Sequence, residues 1–231
     1  MMKKIIQTFL PIFILSSQVF AIAGFGLQVG QNMFSVKESS PTINVPYVIL
    51  KNGAFENPIS VGGYLYLDII PVVDLEVDFN FQGSKYDINF ENDLGKMPTL
   101  PFAWASADIF YTVRKEIIGI GIPFLAKAKL FAGGGYNTHL STPIANEKML
   151  TSLCDDDLAN CDVTSLDKTL ETYMTNKDNY LSSSGFHLQG GLQFKILMLD
   201  SFLFYRQVFA DKVIPDGKGY GSINLRLGMG L

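Results

Sequence analysis

Residues 59–81 read ISVGGYLYLDIIPVVDLEVDFNF, and the rest of the chain is organised around them. In the first arm Ile59, Val61, Leu65, Leu67 and Ile69 alternate with Ser60, Gly62, Tyr64, Tyr66 and Asp68. In the second, Leu75, Val77, Phe79 and Phe81 alternate with Asp74, Glu76, Asp78 and Asn80. A period of two on both sides of a proline-containing break predicts a hairpin of two long strands. One face is almost wholly apolar and the other carries carboxylates, so the faces meet different solvents.

The same alternation recurs along the chain. Phe25, Leu27, Val29 and Met33 mark a first strand within 24–33, followed by a long irregular stretch with Pro41, Pro46 and Pro58. After the hairpin, 83–101 reads as another long connection. Strand four is expected over 102–113, then a short polar turn at Arg114-Lys115-Glu116. Strand five is expected over 118–136, with a bulge at Pro123 or a start just after it. Residues 137–184 form the longest connection. Strands six, seven and eight are expected at 185–196, 201–210 and 220–231. Eight strands of about ten residues, with every long connection at one end, describe an up-and-down antiparallel meander in one domain.

The first residues, MMKKIIQTFLPIFILSSQVFAIAG, combine a basic start, an apolar core and an A-x-A site at 21–23. That is a secretory signal, with cleavage expected after Ala23 and a mature domain over 24–231. The full chain carries 18 basic and 22 acidic residues, and losing Lys3 and Lys4 leaves 16 against 22, a net charge of −6. Such a balance argues against nucleic acid, which requires a basic stripe. No later apolar run is long enough for a spanning helix, so a membrane protein would have to cross with strands.

A soluble eight-stranded barrel would hold its apolar face inside, and a membrane barrel inverts this. The polar parity is rich in glycine, as a crowded lumen requires. It also carries opposite charges, Asp68, Glu76, Asp78 and Asp108 against Lys127, Lys129, Lys195, Arg206 and Arg226. Lys or Arg held at mid-depth in lipid costs roughly 2–4 kcal/mol, so this parity cannot face hydrocarbon. The reading is therefore an all-β, eight-stranded transmembrane barrel. Its charges pair to plug the lumen, or leave a narrow permeation route.

Together, the signal sequence, the eight alternating strands and the one-sided long loops resemble the small outer-membrane barrels of Gram-negative bacteria, the OmpA/OmpX/OmpW type. The last strand, GSINLRLGMGL, resembles the strand that the barrel assembly machinery reads, although it ends in Leu231 where that group usually has Phe. The resemblance implies an outer-membrane location, lipid as partner, and a non-enzymatic envelope role. The OmpW type implies a small passive pore for apolar solutes as the alternative.

Chemistry has few footholds. His139-Leu140-Ser141 is the His-x-Ser spacing of some lipid A deacylases, with Asn146, Glu147 or a loop carboxylate as the orienting group. The histidines show no metal-ligand spacing, and no cofactor is expected. In CDDDLANCD, Cys154 and Cys161 are placed to form a disulfide in an exported loop. The Asp155-Asp156-Asp157 run lacks the alternate-position pattern of a calcium loop and reads as a solvated turn. Thr164-Ser165-Leu166-Asp167 looks like a capping box opening a short helix, with Leu166, Leu170, Tyr173 and Met174 on one face. Trp104, on the polar parity, is expected to pack in the lumen or rim.

Overall fold

The computed structural model describes residues 23–43, 48–70, 72–92, 95–96, 99–122, 125–154, 157–158, 173, 176–215 and 217–230. Eight long strands follow in chain order: β1 (Ala23–Met33), β2 (Ile59–Ile70), β3 (Val73–Asn92), β4 (Leu100–Ile122), β5 (Ala126–Ser141), β6 (Leu181–Ile196), β7 (Leu199–Ala210) and β8 (Tyr220–Gly230). Each pairs antiparallel with its chain neighbours, and β1 pairs with β8 from Gly24↔Gly230 to Met33↔Gly221. The sheet is thus a closed eight-stranded up-and-down barrel, the fold implied by the resemblance. No described helix is long and apolar enough to cross a membrane.

The wall is inverted relative to a soluble barrel. Leu27 is 74% exposed, and Phe79, Val113, Phe186, Leu203 and Leu225 also face out. Gln28, Glu76, Asp78, Asp108, Arg206 and Arg226 point inward and are buried. Period-two alternation alone produces this sorting, because successive side chains of a strand emerge on opposite faces.

Three boundaries depart from the sequence reading. Arg114-Lys115-Glu116 is not a turn: β4 runs through it to Ile122, and β5 begins at Ala126. The connection expected at 83–101 is mostly strand, so β3 and β4 rise together as a hairpin well past the end of β2, whose pairing with β3 stops at Ile59↔Gly83. The 137–184 connection is shorter than expected, since β5 continues to Ser141 and β6 starts at Leu181. In each case pairing with a neighbouring strand carries a segment that is locally polar or turn-rich.

The long loops fold onto this raised hairpin. A two-turn helix, α1 (Glu147–Leu153), begins at Asn146, whose side chain accepts a hydrogen bond from the Met149 amide at 3.0 Å. Its buried face, Met149, Leu150 and Leu153, packs with Phe55, Tyr86, Phe90, Phe102 and Trp104 into a core at the barrel mouth. A short strand, Ile49–Asn52, pairs with β3 at Ile88 to Glu91 and brings Leu50 into the same core. Of the expected leader only Ala23 is described, and it opens β1 opposite Leu67; the capping box at 164–167 lies outside the described residues, and of the proposed helical face only Tyr173 is described, and it is buried.

Candidate functional site

The interior is organised in layers. At mid-height β3 contributes Glu76 and Asp78, β7 contributes Arg206, β8 contributes Arg226 and β4 contributes Arg114. All five side chains are at most 1% exposed. Arg226 Nη1 lies 2.8 Å from Glu76 Oε2, and its Nη2 lies 2.6 Å from Asp78 Oδ2. Arg206 pairs with Asp78 and lies 3.9 Å from Glu76 Oε1. Arg114 reaches Glu76 at 3.4 Å and binds Asp74 at 2.7 Å. Three guanidinium groups thus face three carboxylates, and the cluster is neutral as a whole.

Amides complete the network. Gln189 donates to Glu76 at 3.0 Å and accepts from Arg206 at 2.6 and 2.9 Å. Gln28 accepts from Arg226 and donates to Asn80 at 2.9 Å. Buried ions are tolerated when paired, and every charged group of the cluster is ion-paired, although Glu76 Oε2, Asp78 Oδ1, Arg114 Nη1 and both Nη atoms of Arg226 lack a well-aligned hydrogen bond.

Aromatic rings close the cluster on both sides. Arg206 lies over Phe110 at 4.0 Å and Arg226 over Phe204 at 4.5 Å. Nearer the short-turn end, Arg114 sits 4.9–5.2 Å from the rings of Phe202, Phe131 and Tyr66. Tyr64, Tyr66, Phe131, Phe202 and Phe204 form one buried cluster there. Guanidinium–ring contacts in dry surroundings contribute about 2 kcal/mol each.

Above the ion cluster lies a second polar layer. Asp108 accepts from Gln82 at 2.7 Å and from Ser106 at 2.6 Å, and its Oδ1 is 2.7 Å from His139 Nδ1. His139 Nε2 is 2.9 Å from Asn137 Oδ1. A cavity of about 10 Å³, room for about one water, is lined by Asn32, Asn80, Asp108, Arg206, Tyr220 and Asn224 among others. Higher still, Trp104 stacks on Phe55 with centroids 5.6 Å apart at 26°, and Phe34 meets its edge. This is the lumen packing expected of Trp104.

The predicted charge set is therefore divided. Glu76, Asp78, Arg206 and Arg226 come together at mid-height, and Asp108 belongs to the polar layer. Lys127 and Lys129 both bind Glu116 Oε2, each at 3.1 Å, near the short-turn end. Lys195 reaches the carbonyl of Gly230 at 3.5 Å, and Asp68 is half-buried beside Asp74. Arg114 was missed as an interior residue because it was assigned to a turn. Its parity, continuous with Ser106, Asp108 and Thr112, was the available signal.

His139 and Ser141 do not form a reactive pair. The Ser141 hydroxyl donates to Ser106 at 3.0 Å, and the imidazole is held by Asp108 and Asn137. The orienting carboxylate comes from β4 rather than the loop, where Asn146 caps α1 instead. His139, Ser141 and Asp108 are all buried beneath the mouth core. Cys154 is buried at the end of α1, whereas Cys161 and Asp155-Asp156 lie outside the described residues. Among the described residues, no group of His, Cys, Asp and Glu is placed to hold a metal ion.

No family model matches the chain, and no curated protein does. Three solved structures are similar in outline. The N-terminal β-barrel domain of Pseudomonas aeruginosa OprF is 8% identical, with 92% of this chain and 99% of that one covered and a TM-score of 0.41. Yersinia pestis Ail, in complex with sucrose octasulfate, is 9% identical, with 90% and 97% covered and a TM-score of 0.38. The translocator domain of Neisseria meningitidis NalP is 10% identical, with 90% and 87% covered and a TM-score of 0.30. At these values the likeness adds nothing to the barrel already evident from strand pairing.

Proposed function

We propose that this chain is an outer-membrane barrel with a sealed lumen, an envelope protein that anchors its long loops at the cell surface rather than a pore or an enzyme. The observation that carries this reading is the neutral cluster of Arg114, Arg206 and Arg226 with Asp74, Glu76 and Asp78. Between aromatic layers, it fills the barrel at mid-height. Eight strands enclose an interior just wide enough for side chains, and these side chains occupy it.

The outward face supports membrane insertion. From Ile59 to Leu67, β2 runs nine residues, about 30 Å of strand and about 23 Å of height at a 40° tilt, close to the apolar band of known outer-membrane barrels. Closure also satisfies the backbone internally, as lipid demands. The reading includes export by a cleaved leader, membrane delivery through the last strand and the assembly machinery, and a Cys154–Cys161 disulfide stapling the surface loop.

Planar-bilayer recording on refolded protein tests the proposal. A flat trace is expected, and reproducible conductance steps would replace the sealed lumen with a pore. Unchanged lipid A in expressing cells, read by mass spectrometry, is the corresponding expectation against the enzyme.

A further inference from the structure

At the short-turn end the outward wall carries a single charge. Lys115 lies one residue beyond the last β3–β4 pair, Asp74↔Arg114, where β4 continues to Ile122 paired with β5 alone. Its register partner is Ala132, and it shares the outward parity of Tyr111 and Val113. Among the described residues of the eight strands, no other Lys, Arg, Asp or Glu lies on that face between the short-turn end and Lys85 on the raised hairpin.

Lys115 has no counter-charge in the protein. Glu116, next along the strand, points inward, with Oε2 on Lys127 and Lys129 and Oε1 over Gly119. Asp74 is held inside by Arg114, and Asp68 lies beside Asp74 on the inward parity. Lys115 forms no ion pair or hydrogen bond with any described residue. Its stem is ringed by Val113, Ile118 and Leu130, 43–63% exposed on the same face.

Depth matters for such a group. Val73 begins β3, so Lys115 stands level with the end of the wall on that side, at the border of the apolar band. An ammonium held within hydrocarbon is costly, whereas one at the border can extend along its own stem to the phosphates of the nearer leaflet. The wall beside it is recessed. Ala132 stands opposite Gly190 on β6, and Gly190 opposite Tyr205 on β7. A Cβ added at Gly190 would meet only the Phe131 carbonyl, at 3.5 Å. Lys115 and Tyr205, three strand spacings or about 14 Å apart, thus bound a shallow trough, with Leu188 on one side and Leu130 and Leu192 on the other.

We infer that Lys115 and the Ala132–Gly190 trough form a site for an anionic phospholipid of the leaflet at the short-turn end. Its phosphate rests on the ammonium and one acyl chain lies along the trough. A single unmatched cation selects a lipid of net negative charge over a zwitterionic one, whose own ammonium competes for the phosphate. The inference rests on the membrane-barrel reading and is indifferent to whether the lumen conducts.

The test uses the full mature chain refolded in detergent micelles, with folding of every variant verified by heat-modifiable migration. Phosphatidylglycerol and phosphatidylcholine are titrated separately, and lipid-bound species are measured by native mass spectrometry. Phosphatidylglycerol is expected to bind about three- to fivefold more tightly. Lys115→Gln should abolish that preference, Lys115→Arg and the pair Lys127→Gln with Lys129→Gln should keep it, and Gly190→Leu should weaken binding of both lipids. Equal binding of the two lipids, a preference that survives Lys115→Gln, or one lost with Lys127 and Lys129 instead overturns the proposal. Unchanged binding in Gly190→Leu overturns the trough. A chain that folds without detergent or lipid overturns the membrane-barrel reading and this inference together, whereas a folded micellar barrel indifferent to phosphatidylglycerol overturns this inference alone.

Discussion

Arg226 and Glu76 are ion-paired across the lumen at 2.8 Å, one on β8 and the other on β3, with neither side chain exposed. Glu76 also meets Arg114 and Arg206, so it is the carboxylate common to all three guanidinium groups. Glu76→Gln is expected to lower unfolding free energy by about 3–5 kcal/mol, because buried cations lose their shared counter-charge. Glu76→Met combined with Arg226→Met should lose less than the sum of the single changes. Urea unfolding of the barrel in lipid vesicles measures both.

Trp104 is the chain's one tryptophan and is 1% exposed. Its fluorescence reports on the mouth core alone. The folded protein should emit at short wavelength and resist acrylamide. Phe55→Ala, which removes the stacked ring, is expected to destabilise this core by about 3–5 kcal/mol and raise quenching, with the strand signal in circular dichroism unchanged.

The disulfide proposed for the surface loop predicts no titratable thiol in the denatured, unreduced protein. Two should appear after reduction, because the chain has two cysteines. Reduction should loosen the loop by about 2–3 kcal/mol without opening the barrel, so proteolysis should nick the loop first.

Glu116 gives the extending hairpin a defined acid response. Burial opposes its ionisation, but hydrogen bonds from Lys129 and Lys127 outweigh this and hold the carboxyl below its ordinary range. A depressed carboxylate stabilises the fold above its unfolded pKa and loses that contribution as pH falls through the folded one. Amide exchange at 126–131, corrected for intrinsic rate, should therefore be level from about pH 8 to about pH 5 and rise only in stronger acid. Glu116→Gln should remove the acid step.

Much of the wall was legible because alternation is a local property. Ile59 to Phe81 alone carried the period, the turn and the contrast between faces. What was not legible depended on neighbours. Arg114-Lys115-Glu116 reads as a turn by composition, yet it is held in strand by pairing on the β5 side and, at Arg114, on the β3 side. The irregularity between Glu116 and Ile118 then shifts the phase, so that Lys115 and Ile118 both face outward. Likewise, parity could place Glu76 and Arg226 inside but could not pair them, since that depends on the stagger of strands distant in sequence. The mouth core was hidden for the same reason: Leu50, Phe90 and Met149 come from three segments with no shared pattern.

The register Gly24↔Gly230 joins the first strand to the last. A ring seamed in this way cannot be completed during synthesis, however early its other hairpins form. Any product stopped short of β8 would keep two raw edges, one of them at β1, and would be marked for aggregation or disposal. Topology thus acts as a check on completeness, with only the finished polypeptide able to hide its own borders.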